Sequence, residues 1–302
     1  MDSRDHEIAA LLVLLRRRPG GAGWNEIAIN VATRGSAVAA LDDLSGDTLF
    51  GTASEDAELA SARQTVEQWN ASGYQLVTVL DEDYPSRLLG IRETPPFLFY
   101  EGTLAEPDPG MSVVGTRSAS EAGLRFAAAA ARLLVSEGLT VIAGLAKGVD
   151  AAAHRAALDA GGRTVAFIGT GITKSYPAGN AGLQKEVAAR GLLISQFYPD
   201  TSPTKQSFPM RNATMSGYGL ATIVIEAGEH SGTRIQARVA GEHGRPVILT
   251  SKVADTTSWG AALVDRPNVY VVDTLADLGD AVRVIRETPN RLQSALDALV
   301  SV

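Results

Sequence analysis

Residues 141–154 read VIAGLAKGVDAAAH, and two structural periods meet inside them. Val141, Ile142 and Ala143 belong to a short apolar run, LTVIAG over 139–144, without polar alternation. Such a run marks a strand buried on both faces, as in a parallel sheet. The alanine-rich stretch that follows predicts a helix over about 148–160. Between strand and helix stands Lys147, set in a turn bracketed by Gly144 and Gly148. Strand, glycine turn and helix form the opening of a β-α-β unit, and the layout recurs along the chain.

Working outward, further apolar runs occupy 111–115, 163–169, 192–195, 221–227, 246–250 and 268–272. Helices fit between them at about 119–136, 180–190, 209–219, 231–243 and 274–286. Strand–helix alternation of this kind predicts an α/β fold, a doubly wound and mostly parallel sheet. Upstream, YQLVTVL (74–80) and PPFLFYEG (95–102) read as two more strands, and the Pro- and acid-rich AEPDPG (105–110) as a linker. Residues 5–18 carry Ile8, Leu11, Leu12 and Leu15 at helical spacing, and PGGAG (19–23) stops that helix as an inter-helix turn. Two or three short helices fit in 24–70, broken at Gly35, Gly46 and Gly51. The expected organisation is a small helical domain over 1–72, the α/β body over 73–286 and a helical tail over 287–302.

The totals narrow the function. In 302 residues, 45% are hydrophobic and 20% charged, the balance of an ordinary globular protein. A net charge of −7 argues against a generally basic nucleic-acid coat but permits a local positive site. The chain has no cysteine, which excludes thiolate metal sites and cysteine nucleophiles. No run approaches the ~20 apolar residues of a membrane span. Acidic residues precede the first apolar run and arginines follow it, the reverse of a secretory signal, so a cytoplasmic protein is expected.

In an open parallel sheet, ligands bind beyond the carboxyl ends of the strands, where helix N-termini favour anions. Five successive loops there carry suitable residues. They are Gly115-Thr116-Arg117-Ser118; Gly144 to Gly148 with Lys147; Gly169 to Lys174 followed by YPAGN; Lys205 followed by FPMRN with Arg211 and Asn212; and Glu226 to Arg234 with Ser231, Gly232 and Thr233. Glycine admits close approach to an oxygen, hydroxyls donate to it, and Lys or Arg neutralises it. Together the loops predict a phosphate site. Alone, Gly144 and Gly148 would be read as strand termination and helix packing, and Arg117 as a surface arginine. No G-x-G-x-x-G follows the first strand of the body and no K-[ST] P-loop exists, so neither NAD nor an NTPase is indicated, and no cofactor is expected.

Asp150 and His154, four apart on a helix, are read as a side-chain pair rather than metal ligands. Ser118, Ser195 and Ser231 lack the G-x-S-x-G elbow of a hydrolase. Glu226 ends a strand at the ligand edge, as an acid or base or as an acceptor for a neighbouring loop. Tyr176 and Phe208 lie in the site loops, to stack on bases or to pack the loops down.

The runs VGTRSASEAG, AGLAKGVDAAAH, GGRTVAFIGTGITKSYPAGN, FPMRN and EAGEHSGTRIQARVAGEHGRPV, in this order, resemble the DNA-processing protein A (DprA/Smf) family. The similarity extends over about 80–280. The resemblance implies an extended Rossmann-like domain, a small SAM-like helical domain before it, and single-stranded DNA held in a positive pocket. It also implies a homodimer, loading of the RecA recombinase, and no catalysis. Carried over, Arg117, Lys147, Lys174 and Arg211 become phosphate-binding cations, with Asn212 and the Ser231-Gly232 pair beside them. This chain departs from the pattern at Ala213, where the family has a second arginine, at Gln196, where it has a glutamate, and at Thr250-Ser251, where it has Pro-Gly. No winged-helix domain is expected in the tail after 286. Two rivals stand beside this reading. A phosphoribohydrolase of the PGGxGTxxE type is disfavoured because neutral Gln236 stands where that motif has its glutamate. A sensor of a free nucleotide would use the same pocket.

Overall fold

The computed structural model describes residues 3–45 and 53–300, with side chains described over 3–44 and 56–288. The N-terminal helices are α1 (Ser3–Arg17), α2 (Trp24–Arg34), α3 (Ala37–Ser45) and α4 (Ala53–Asn70), and Pro19–Gly21 makes the turn after α1. Every residue of α1 from Ile8 to Leu15 is buried, so this helix is enclosed on all sides rather than presenting one apolar stripe. Helices α2, α3 and α4 surround it. Gly35, left-handed at φ 73°, ends α2 as expected. The breaks expected at Gly46 and Gly51 lie outside the described residues.

The body follows as β1 (Gln75–Thr78), α5 (Ser86–Leu89), β2 (Phe97–Gly102), β3 (Gly110–Val114), α6 (Glu121–Ser136), β4 (Thr140–Ala143), α7 (Val149–Asp159) and β5 (Thr164–Phe167). Then come α8 (Ala181–Arg190), β6 (Leu192–Ser195), α9 (Ser207–Tyr218), β7 (Thr222–Val224), α10 (Gly232–Glu242) and β8 (Val247–Thr250). The chain closes with α11 (Ser251–Thr256), α12 (Ser258–Val264), β9 (Val269–Val272) and α13 (Leu275–Val300). The short helices α11 and α12 had no signal in the apolar periodicity. Thr257 separates them, its hydroxyl capping α12 at the Gly260 amide. Helix α13 runs through position 286 without a break.

Nine strands among the described residues form one sheet in the order β1-β2-β6-β5-β4-β3-β7-β8-β9. From β6 to β9 every pairing is parallel, while β2 runs antiparallel to both β6 and β1. Strand β3 lies between β4 and β7, so the winding reverses there and opens a crevice at the carboxyl ends. One face of the sheet is covered by α6, α7 and α13, around Leu134, Val141 and Val282. The other shares a continuous apolar cluster with the N-terminal helices. There Trp69 meets Phe99 edge-on at 4.9 Å, Trp24 lies 5.3 Å from Tyr198, and Phe97 stacks on Tyr198 at 5.3 Å. The 105–110 linker is anchored through Asp108, which accepts hydrogen bonds from Arg163, Tyr218 and Thr140.

Candidate functional site

The crevice at the β3–β7 reversal is a cleft of about 530 Å³. One wall is the start of α10. Ser231 caps that helix by accepting from the Thr233 amide at 3.2 Å. Gly228 and Gly232 line the cleft, and a Cβ on either would meet no atom within 4 Å. Thr233 and Gln236, one helical turn apart, form its floor. Gln236 is 2% exposed, and its amide nitrogen has no hydrogen-bond partner. A buried donor without an acceptor is costly, and a ligand oxygen would relieve that cost.

The opposite wall is the β3–α6 loop. At Gly115 a Cβ would collide with Val149 and with the Glu226 carbonyl, so only glycine lets the loop turn here. Thr116 and Arg117 follow and line the cleft. Arg117 is exposed, and its guanidinium lies 5.6 Å from the centre of the Phe208 ring.

The α7 start closes the space between. Leu145 at φ 56° and Gly148 at φ 78° carry the chain from β4 into the helix. At Gly148 a Cβ would stand 2.5 Å from the Thr116 carbonyl oxygen. The expected pairing of Asp150 with His154 is not formed. Asp150 turns back to accept from the amides of Gly144 (3.0 Å) and Ala146 (3.4 Å). His154 faces the sheet and meets the Thr164 hydroxyl at 2.7 Å. Burial raises the Asp150 pKa, opposed by Arg211 and the two amides. Burial, helped by the charge of Arg211, pushes His154 down to about 3.

Arg211, expected as a phosphate-binding cation, is engaged by the protein's own backbone. Its side chain is buried, and Nη1 donates to the carbonyls of Gly144 and Phe167 at the ends of β4 and β5. Gly144 is required because a Cβ would overlap that guanidinium. Burial lowers the Arg211 pKa to about 10, so the group stays cationic at neutral pH. Arg211 therefore ties two strand ends together and still lines the cleft beside Asn212, whose Oδ1 accepts from its Nε.

A second cleft of about 290 Å³ shares Arg117, Ala146 and Arg211 with the first, so the two are contiguous. It gathers Lys147, Gly169, Tyr176 and Phe208. The bare Cα of Gly169 leaves room for the Phe208 ring. Tyr176 is 43% exposed and lies 5.5 Å from that ring. Lys174 lines neither cleft; its ammonium stands 3.5 Å from Asp200 on the rim. Glu226 serves the neighbouring loops, accepting from Ser120 at 2.7 Å and pairing with Lys252 at 3.2 Å. Burial opposes its ionisation, yet these two partners hold its pKa below the usual value. Asp150, His230 and Gln236 also line the first cleft although the sequence did not point to them as phosphate-site residues. The signal for Gln236 was available, since it follows Thr233 at i+3 on one helix face. Among the described residues no group of three or more His, Asp or Glu side chains could hold a metal ion, and no helix is long and apolar enough to cross a membrane.

Comparison with known proteins places this geometry in a lineage. The chain is 40% identical over 185 residues to the DNA processing protein DprA of Streptococcus pneumoniae, covering 61% of this chain and 65% of the relative. It is 38% identical over 190 residues to the Smf protein of Synechocystis, covering 61% and 48%. The match thus spans about half to two thirds of these relatives' length. The X-ray structure of the Streptococcus pneumoniae DNA processing protein A superposes with a TM-score of 0.66 at 28% identity, over 91% of this chain and 92% of that one. The solved structure of the Helicobacter pylori DNA processing protein A shares the fold at a TM-score of 0.63 and 21% identity, over 70% of this chain and 96% of that one. The family described as DNA recombination-mediator protein A matches residues 75–281, and the chain belongs to it.

Proposed function

We propose that this protein is a recombination mediator that binds single-stranded DNA along the two joined clefts, protects it and helps load RecA, as a cytoplasmic homodimer without catalysis. The observation that carries this reading is the sharing of Arg117 and Arg211 between a polar cleft and an aromatic one. The polar cleft offers hydroxyls, an open helix start and the orphan Gln236 amide for phosphate and sugar oxygens. The aromatic cleft offers Phe208 and Tyr176 as stacking platforms that tolerate any base. The Helicobacter pylori relative binds single-stranded DNA. The carboxylates at this edge, Asp150 and Glu226, are both engaged by protein donors. Glu226 is held by Ser120 and Lys252, and Gln236 is neutral.

The test is a salt series of binding to oligothymidine, beside duplex DNA and free nucleotides. The expected result is preference for the single strand, with affinity falling at a log–log slope of about −0.7 per neutralised phosphate. Preference for a mononucleotide would replace this reading with that of a nucleotide sensor.

A further inference from the structure

We propose that a third cleft, where the N-terminal helices meet the sheet, takes a nucleobase of the same strand beyond the phosphate site. The proposal rests on the single-strand reading above. This cleft has a volume of about 510 Å³, and its walls include Trp24, Pro95, Pro96, Phe197 and Met210, with Arg18 and Arg92 also lining it. It lies on the same rim as the other two. Phe197 follows the carboxyl end of β6, and Pro95 and Pro96 precede β2, which runs antiparallel to β6. Helix α9 is the divider. Phe208 lines the second cleft and Met210 the third. Two residues apart on a helix, they point roughly 200° apart. A strand leaving Arg117 and Phe208 therefore reaches the third cleft by crossing one helix about 10–12 Å wide. That is roughly three nucleotides at the ~3.4 Å stacked spacing.

The chemistry suits a base inside and phosphates at the mouth. Rings, prolines and a thioether form the apolar part of the walls and favour a flat aromatic ligand, Asn25, Thr94 and Gln196 add polar groups, and the guanidinium groups of Arg18 and Arg92 complement a polyanion. Met210 is 47% exposed, so its thioether is open to a ligand in this cleft. The cleft is also preformed. The Trp24 indole N–H is fixed by the Leu15 carbonyl at 3.2 Å, and Asn25 ties α2 to the Arg92 carbonyl at 3.0 Å. Glu93, the acid in the wall, is engaged by Arg92 at 2.7 Å and by His243 at 2.9 Å.

The experiment compares binding of oligothymidine of about 4 and about 16 nucleotides, within the range of single-strand sites, by wild type, Met210→Glu and Arg92→Glu. Both residues are exposed, so the variants are expected to fold, and urea midpoints check this. The expected result is a loss of about tenfold or more for the longer strand, from one stacked base, with the shorter strand unchanged within about twofold. Photocrosslinking of a 5-iodouracil-substituted strand to Trp24, Phe197 or Met210 gives a second, direct readout. Equal loss at both lengths, or none at either, overturns the third cleft while leaving the first two standing. The second outcome would assign the slot to another occupant, such as an apolar segment of a protein partner. Failure of wild type to bind either strand overturns the single-strand reading and this proposal with it.

Discussion

Two helix starts border the main cleft, those of α7 and α10, and they look alike in sequence and do opposite things. Each follows a parallel strand through a glycine-containing turn with a polar or charged residue. The α7 start is closed by the protein itself. Asp150 folds back onto the 144–146 amides, the Val149 amide reaches the Thr116 carbonyl at 3.4 Å, and Arg211 seals the strand ends. The α10 start is left open, with empty space over Gly228 and Gly232 and an unpartnered amide at Gln236. A glycine-rich turn before a helix is thus no more than an opportunity for an anion. Whether a ligand or the protein's own carboxylate takes it depends on which side chains the rest of the fold delivers.

Removing the seal should have the largest effect. Arg211→Ala leaves two buried strand-end carbonyls without their donor and removes a positive charge that favours the ionised form of Asp150, and should destabilise the protein by roughly 3 kcal/mol in urea unfolding. An unchanged midpoint would mean that Arg211 faces ligand rather than holding the sheet. Gly148→Ala should cost about 2 kcal/mol through its left-handed backbone and its collision with the Thr116 carbonyl. The matching change on the open side, Gly232→Ala, should alter stability by less than about 1 kcal/mol and weaken oligothymidine binding instead. Equal stability losses at the two glycines would erase the contrast.

Acid should also act through α7. His154 has its pKa lowered to about 3, so the unfolded chain binds this proton first. Its stabilising contribution is complete above the unfolded value of ~6.5 and is lost as pH falls towards 3, at about 1.4 kcal/mol per pH unit. Between pH 6.5 and 5, wild type should therefore lose about 1.6 kcal/mol more than His154→Gln. Parallel acid limbs would show that the ring is protonated in the native state. The smallest effect on the fold belongs to exposed Arg117. Arg117→Ala should leave stability within about 0.5 kcal/mol while reducing the salt slope by about 0.7. A large stability loss there would place Arg117 with the closed side.

Much of this was legible in the sequence, and the reasons are local. Strands such as 139–144 and 163–169 announce themselves because burial on both faces leaves no polar alternation, and parallel strands bring their following loops to one rim. That is why Arg117, Lys147, Gly169, Arg211 and Ser231 gather as expected. What escaped reading was which partner each side chain chooses across the fold. Spacing of four suggested that Asp150 would meet His154, yet helical side chains lean towards the N-terminus, and Asp150 found backbone amides there. His154 found Thr164 on a neighbouring strand. Nothing in FPMRN tells that α9 carries Arg211 under the ends of β4 and β5, where it donates to backbone carbonyls. Lys174 is met by Asp200 from the loop after β6, a neighbour that no motif encodes.

The aromatic seam between the N-terminal helices and the sheet bears on how the molecule comes apart. Trp24 and Trp69 pack on Phe97, Phe99 and Tyr198, so cutting the chain near residue 72 would strip the cover from one layer of the body and leave those rings wet. Heating or denaturant should accordingly melt both parts in a single cooperative step, with tryptophan emission and far-ultraviolet ellipticity changing together.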